Sequence, residues 1–458
     1  MCPIDKSVIA VENKQKEFIM SEKYRDSQWD RHGVLDEMLK HVKIPKMARA
    51  AQEFEDTTIR DIPGAVAKEF DKKEIAQTIK PGMNIAVTAG SRGIANIAVI
   101  IKETVEQLKK LGAKPFLFPA MGSHGGATAE GQLVILKSFG ITEETMGCPI
   151  KSSMETVVIG ESPEGKPISV DKHAHQADGI VVVARIKPHT AFRGKYESGL
   201  LKMLAIGMGK QKGAEGCHDE GFGRMAYNVE AYADVIMAKT KVLFGLAIVE
   251  NAFDNTCHVE SILASNFKER EIYLLQKAKD WMPRIYIPKF DILIVDQIGK
   301  NFSGDGADPN ITASYCTPYA SGGPEWQRYV ILDLSDETHG NAIGIGMADF
   351  STKRAFDKLD FDATYPNGFT STVVSGVRVP VILKNDETAI KSAIFVCTNI
   401  DKTKPKIVRI KNTSHIEEIS ISEALVEEAK KHPNMKMLEE PGELVFDKDG
   451  NLPGIGGH

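Results

Sequence analysis

Residues 84–126 read NIAVTAGSRGIANIAVIIKETVEQLKKLGAKPFLFPAMGSHGG. The apolar run NIAVT, at 84–88, follows a Pro81-Gly82 break, and small residues at 90–93 turn the chain. Apolar residues recur at helical spacing over 94–111 until Gly112 stops them, and KPFLFP at 114–119 reads as a second strand. A glycine-rich loop at 122–126 then leads to Thr128 and Glu130, which open another helix. Strand, helix, strand and helix joined by short loops predict an α/β fold with a doubly wound, mostly parallel sheet. Such sheets take ligands at the carboxyl ends of their strands, where the Ser91 and His124 loops both fall.

The same alternation extends outward. GIVVVARI at 179–186 and VLFGLAIV at 242–249 are further strands, and 260–281 reads as a long charged helix. Pro283 and Pro288 break the chain there, and FDILIVDQI at 290–298 opens a second α/β unit. Its later strands are expected at 329–334, 342–347 and 379–383. At ~150 residues per domain, 458 residues make two or three domains. The expected division is 1–282 and 289–458, two α/β domains with an active-site cleft between them. Residues 1–80 read as a mostly helical lead-in, and DKDGNLPGIGGH at 447–458 as an exposed tail or strap.

Composition narrows the function. A chain that is 42% hydrophobic and 26% charged is globular. A net charge of −5, from 57 basic and 62 acidic residues, gives no footprint for nucleic acid or an anionic membrane. The longest apolar runs, 179–184 and 242–249, fall far short of the ~18 residues a membrane span needs. The first residues hold no apolar stretch after a basic start, and the six cysteines form no C-x-x-C. A reducing cytoplasm is the expected location.

Several side chains stand where strand-end chemistry is done. His124 has Gly122 and Gly125 around it, which leave the imidazole room to face a ligand. His189 lies just past a strand, in Ile186-Lys187-Pro188-His189, where the proline fixes the approach of the chain. Two strand-end imidazoles suit proton transfer on either face of a substrate near neutral pH. In GLLKMLAIGMGKQKGAEGCH, residues 199–218, Lys202 sits among apolar residues that would depress its pKa and make it nucleophilic; otherwise it snorkels from an amphipathic helix. Gly207 and Gly209 suggest a close backbone approach to a ligand, and Cys217-His218 offers a soft metal ligand. Ser91-Arg92-Gly93 reads as a phosphate site at a helix start, or as an ordinary N-cap. Lys300 ends a strand of the second unit, before the polar loop 301–310 with its Asp305/Asp308 pair. His173, His175, His258, His339, His415 and His432 read as structural.

Together these residues resemble the nickel-dependent lactate racemase family over most of 80–310. The resemblance implies that the G-x-H loop, here Gly122-Ser123-His124, carries one catalytic histidine and Pro188-His189 the other. It makes Lys202 the covalent attachment point of the cofactor, His218 a nickel ligand, and Ser91-Arg92 the phosphate turn. Arg92 and Lys300 become partners of the substrate, and 1–282 becomes the cofactor-binding and catalytic domain, with 289–458 adding substrate contacts. The implied cofactor is a nickel-pincer nucleotide, a pyridinium mononucleotide with two thiocarbonyl arms that hold the metal through carbon and sulfur. The chain departs from the family pattern at Ala89, where an acidic residue is usual, and at Gly125, where a basic one is.

The implied activity is inversion at the hydroxyl-bearing C2 of a 2-hydroxy acid. Hydride leaves for the cofactor and returns to the other face, while His124 and His189 exchange acid and base roles. The implied partners are the hydroxy acid and the cofactor-maturation enzymes. Gly125 in place of a basic residue makes room for a larger sugar acid, so an aldonate 2-epimerase is the neighbouring reading. A zinc-type hydrolase using His124, His189 and His218 lacks an H-E-x-x-H or H-x-x-E-H helix. A carrier that binds metal or nucleotide without catalysis is the reading from another class.

Overall fold

A computed structural model describes residues 33–91 and 93–455 of the chain. Its strands are β1 (Met47–Gln52), β2 (Asn84–Ala89), β3 (Lys114–Pro119), β4 (Thr156–Glu161), β5 (Pro167–Asp171), β6 (Gly179–Arg185), β7 (Val242–Glu250), β8 (Thr256–Leu263), β9 (Ile292–Ile298), β10 (Arg328–Leu334), β11 (Phe350–Thr352), β12 (Val381–Leu383), β13 (Ile407–Asn412), β14 (His415–Ser422) and β15 (Met435–Met437).

One sheet has the order β3-β2-β6-β7-β8. Its first four strands run parallel, and β8 folds back antiparallel on β7. Both faces are buried, which is why its strands read as unbroken apolar runs. Ile85, Val87 and Ala89 of β2 pack with Ile100, Ile101 and Val105 of the helix Ile97–Lys110. Ala86, on the opposite face, shares a core with Val229 and Ile236 of Phe222–Lys239 and Leu274 of Phe267–Trp281. The chain leaves β2 for β3 on one side and later enters β6 on the other. That reversal at β2 opens a crevice at the carboxyl ends of β2, β3 and β6.

The second sheet has the order β12-β11-β10-β9-β13-β14-β1-β15, parallel from β12 to β13 and antiparallel beyond. The α/β class and the mostly parallel sheets expected from the sequence are therefore present. Strand β1, which the sequence assigned to the first unit, lies here instead, paired from Met47↔Ser422 to Ala51↔Glu418.

Three other elements differ from expectation. Residues 260–281 are not one helix, because β8 runs to Leu263 before the helix begins at Phe267. Cross-strand burial of Cys257, Val259 and Ile262 outweighs the local helical spacing. Residues 342–347 form a short 3-10 turn, Ile345–Met347, instead of a strand. The tail is a strap: Leu452 is buried, its N–H donates to Asp386, and Arg409 donates to the Pro453 carbonyl.

Candidate active site

The segment after Gly199 lies against the ends of β2 and β3. Leu200–Lys202 is helical and passes into a π-helical turn, Met203–Gly207. Such single π turns recur at functional sites. A Cβ on Gly90 would stand 3.2 Å from the Met203 Cε, and one on Gly207 would stand 2.7 Å from the Ala120 carbonyl. The Gly122 N–H donates to the Gly207 carbonyl at 3.2 Å. The glycines expected to approach a ligand thus approach the protein's own backbone, and Gly209 likewise packs on Gly213 and Ser169. This contact fixes the Lys202 segment against the loops that follow β2 and β3.

His124 caps the turn Gly125–Ala127 and is exposed at the end of β3. Its loop is held from below. Gln132 donates to the carbonyls of Gly122 at 3.1 Å and His124 at 3.3 Å. Lys210, fully buried, reaches Gln132 Oε1 at 3.3 Å, the Pro119 carbonyl, and Asp171 Oδ2 at 3.1 Å. Burial lowers its pKa and Asp171 partly offsets this. The lysine pressed into apolar surroundings is therefore Lys210 as well as the half-buried Lys202, and nothing in the sequence period separates the two. Gly125 has φ +67°, and a Cβ there would come within 2.6 Å of the Gly131 carbonyl carbon. The absence of a basic residue at this position is thus built into the loop.

His189 stands in a loop closed at its neck by paired hydrogen bonds between Lys187 and Ser198. Its N–H donates to Glu197 Oε2 at 2.7 Å, and its carbonyl accepts from Arg193 at 2.6 Å. Its ring Nδ1 accepts the Ala191 N–H at 3.0 Å. The ring lies 4.4 Å from Phe192 and 6.2 Å from Phe222. Arg193 and Glu197 thus support the His189 loop. Glu197 is fully buried and also receives Lys279 at 2.8 Å.

Phe222 also neighbours His218, 5.8 Å from it centroid to centroid. It ends the helix Lys210–His218, and its Nδ1 lies 2.6 Å from the Ala214 carbonyl. A carbonyl only accepts, so Nδ1 carries the proton and Nε2 keeps its lone pair. Burial lowers the imidazole pKa, and the charge of Lys202 adds to this. Neighbouring Cys217 is fully buried, and burial pushes its thiol up to about 12. It stays a neutral thiol, and the soft ligand expected of the Cys-His pair reduces to the histidine. Glu271 lies under Gly199, accepts the Leu201 N–H at 3.0 Å, and is pushed up to about 7 by burial.

Ser91 lies in a bend past β2, but the helix starts only at Ile97, so its hydroxyl is not a helix cap. Between them the loop is tied down by the Ala95 N–H on Glu250 at 2.7 Å. Arg92 lies outside the described residues. Lys300 follows β9, with its ammonium on Asn367 and its N–H on Thr338. The far end of its loop reaches the His189 loop: Asp308 pairs with Lys187 at 3.0 Å, and Asn310 accepts from Arg193 at 2.6 Å. Burial raises the Asp308 pKa, but Lys187 and Asn310 outweigh it and hold the carboxyl below its usual range. Asp308 of the Asp305/Asp308 pair is thus taken up by an ion pair with Lys187.

The structure brings together four sequence-predicted residues at one sheet edge: His124 and His189 on the ends of β3 and β6, and Lys202 and His218 on the segment packed against them. The ends of β3 and β6 are two strand spacings apart, roughly 10 Å, with β2 between. Among the described residues, no three His, Cys, Asp or Glu side chains group to hold a metal ion by themselves. His124, His189 and His218 are therefore not the ligand set of a hydrolytic zinc.

These features define an α/β protein whose strand-end loops carry paired histidines beside a lysine and a third, metal-competent histidine. Residues 35–224 match the model for the lactate racemase N-terminal domain. That stretch of the chain is therefore similar to the N-terminal domain of lactate racemases. Among solved structures, the lactate racemase apoprotein from Thermoanaerobacterium thermosaccharolyticum is 14% identical, with a TM-score of 0.48 over 74% of this chain and 88% of that one. A structural-genomics protein from Thermotoga maritima is 15% identical, with a TM-score of 0.42 over 59% of this chain and 70% of that one. No curated protein matches the chain. No described helix is long and apolar enough to cross a membrane.

Proposed function

We propose that the protein is a racemase or epimerase that inverts the hydroxyl-bearing C2 of a 2-hydroxy acid, using a nickel-pincer nucleotide tethered to Lys202. The carrying observation is the convergence of the His124 and His189 loops with the Lys202–His218 segment at the carboxyl edge of one sheet. The residues fit that cofactor. His218 is held with Nδ1–H on Ala214, and burial keeps it neutral, so Nε2 has the lone pair a metal requires. One protein ligand suffices, because the pincer supplies its own carbon and sulfur donors. Lys202 is close enough for its charge to act on His218. When bound, the cofactor would accept and return hydride.

The chain's own groups do the rest. His124 and His189 flank the substrate carbon from two strand ends and handle the hydroxyl proton. Ser91 and Arg92 would hold the phosphate beside β2. Lys300 would reach the substrate carboxylate from the second unit, on a loop whose other end is fixed to Lys187 and Arg193. Residues 1–282 then act chiefly as the cofactor-binding and catalytic domain, and 289–458 as the domain that adds substrate contacts. The site fits cytoplasmic maturation enzymes as suppliers of the cofactor.

Gly125 favours an aldonate over lactate within this reading. With φ +67° and the Gly131 backbone 2.6 Å from where a Cβ would stand, this position carries no basic side chain beside His124. Intact mass and nickel content of protein made together with the maturation enzymes test the proposal. A lysine adduct with about one nickel per chain supports it. The unmodified chain mass, with no nickel, would refute it.

A further inference from the structure

We infer that Lys210 is a positioning residue for the reaction: through Gln132 it fixes the loop that carries His124. This rests on the proposed racemase reading. Lys210 acts on the backbone beneath the acid–base histidine, not on the reacting atoms.

The His124 loop has little stiffness of its own. Gly122, Gly125 and Gly126 lie at φ +56°, +67° and +65°, and Ala127 at +54°. Such a run forms no regular hydrogen-bond ladder, so its shape comes from groups outside it. Gln132, fully buried in the helix Ala129–Ser138, holds it at two points. Its amide nitrogen donates to the carbonyls of Gly122 at 3.1 Å and His124 at 3.3 Å. The two ends of an amide are nearly equal in size. Turned over, this one would set its oxygen against both carbonyls. Lys210 decides which end faces the loop, because an ammonium has only donors and so requires the oxygen, 3.3 Å away.

Lys210 is itself held without slack. Its ammonium meets the Pro119 carbonyl at the end of β3, Gln132 Oε1, and Asp171 Oδ2 at the end of β5, one acceptor for each N–H. Asp171 Oδ1 accepts from the N–H groups of His173 and Ala174 at 2.8 and 3.0 Å. The Asp171 N–H donates to the Met208 carbonyl at 2.8 Å, so β5 grips this segment twice. Lys210 stands at φ +54°, in the left-handed region that is costly for an L side chain. Such a conformation persists where surrounding contacts over-determine it. A buried ion pair is a weak source of stability, since apolar residues of the same shape often do as well. What this pair supplies is geometry. It places one nitrogen at the junction of β3, β5 and the helix that opens with Lys210 and ends at His218. The loop of His124 and the helix of His218 are thereby set on the same point.

Without the ammonium, the Gln132 amide is free to turn, and the His124 carbonyl loses its donor in part of the population. The imidazole is then misplaced against the substrate hydroxyl, while Lys202 and His218 keep their own places. The effect falls on proton transfer and leaves binding intact.

Two variants of the full chain test this. Lys210→Met combined with Asp171→Asn removes the ammonium without stranding its counter-charge, and Gln132→Met removes the donors to the loop. In the cofactor-free chain, hydrogen exchange at residues 121–128 should quicken in both, while the helix Ile97–Lys110 keeps its protection. Unchanged exchange at 121–128 would overturn the inference, whatever reaction the protein performs. In protein matured with the cofactor-synthesis enzymes, each variant should lose roughly tenfold to a hundredfold in kcat, with KM within about twofold and adduct mass and nickel content unchanged. Placed on His124→Ala, neither should lower turnover further, because the group they position is gone. Fully additive losses on that background would show a structural role alone and overturn the inference. Wild-type protein that carries adduct and nickel but does not turn over, with exchange quickened in both variants, would refute the racemase reading and leave the positioning of the loop standing.

Discussion

His189 and His218 both neighbour Phe222 and are held in opposite senses. One accepts a backbone N–H at Nδ1, and the other donates from Nδ1 to a backbone carbonyl. The first therefore presents Nε2–H, and the second presents an Nε2 lone pair. The same side chain becomes a donor to substrate or a ligand to metal according to which backbone group lies behind it. A loop supplies N–H groups that point inward, while the last turn of a helix supplies unpaired carbonyls. On the proposed reading, that difference suits His218 to a metal and His189 to a substrate.

The comparison is most exposed at Lys202, whose charge acts on His218. Lys202→Ala should abolish the covalent adduct completely, as read by intact mass after co-production with the maturation enzymes. An adduct that survives would move the tether elsewhere and remove the reason for reading His218 as a ligand. Next in size is the third imidazole. His124→Ala should lower turnover by ~10²–10⁴ in both directions with the adduct retained, because the hydroxyl proton then lacks one of its two carriers. Full turnover in this variant would remove His124 from the proton path.

Glu271 sharpens the contrast from the side of the Lys202 helix. Its pKa is about 7 when folded, against about 4.5 as the ordinary value. The native chain therefore holds a proton on Glu271, between those values, that the unfolded chain has released. The contribution of Glu271 to stability is fully present below about pH 4.5, falls as pH rises toward 7, and is lost above. The loss is on the order of 3 kcal/mol. Urea unfolding at pH 5 and pH 8 should show this fall in the wild type and not in Glu271→Gln. Smallest is the effect on the His189 side. Arg193→Lys keeps the charge but lacks the fork, and should lower turnover roughly tenfold with the adduct mass unchanged, about the contribution of one positioned hydrogen bond. No change would mean that the brace does not set the ring.

The parallel sheet was legible in the sequence because both of its faces are buried. NIAVT and KPFLFP have no polar alternation to confuse with a helix, and their glycine loops mark the carboxyl ends. The positions of His124, His189, Lys202 and His218 were legible because each adjoins a strand end or a glycine-marked turn. Strand β8 was not, because its Cys257, Val259 and Ile262 earn their strand conformation from β7, which the local pattern does not contain. Strand β1 was hidden for the same reason, its partners lying more than 350 residues away. The supports were least legible. Lys210 and Glu271 are charged residues that look solvated in sequence, and they are buried only because Asp171 and the Leu201 N–H come to them from distant segments. Tautomers were not legible at all, since they depend on single backbone groups such as Ala191 N–H and Ala214 C=O.

The most direct measurement of the central claim is chiral analysis of a panel of 2-hydroxy acids and aldonates. Each is incubated as a single stereoisomer with protein matured by the cofactor-synthesis enzymes. Conversion toward an equilibrium mixture inverted only at C2, with no net oxidation and no added nicotinamide, is the expected result, with the aldonates turning over faster than lactate. Full adduct and nickel occupancy without inversion of any member of the panel would contradict the claim that this sheet edge is the site of a racemase or epimerase.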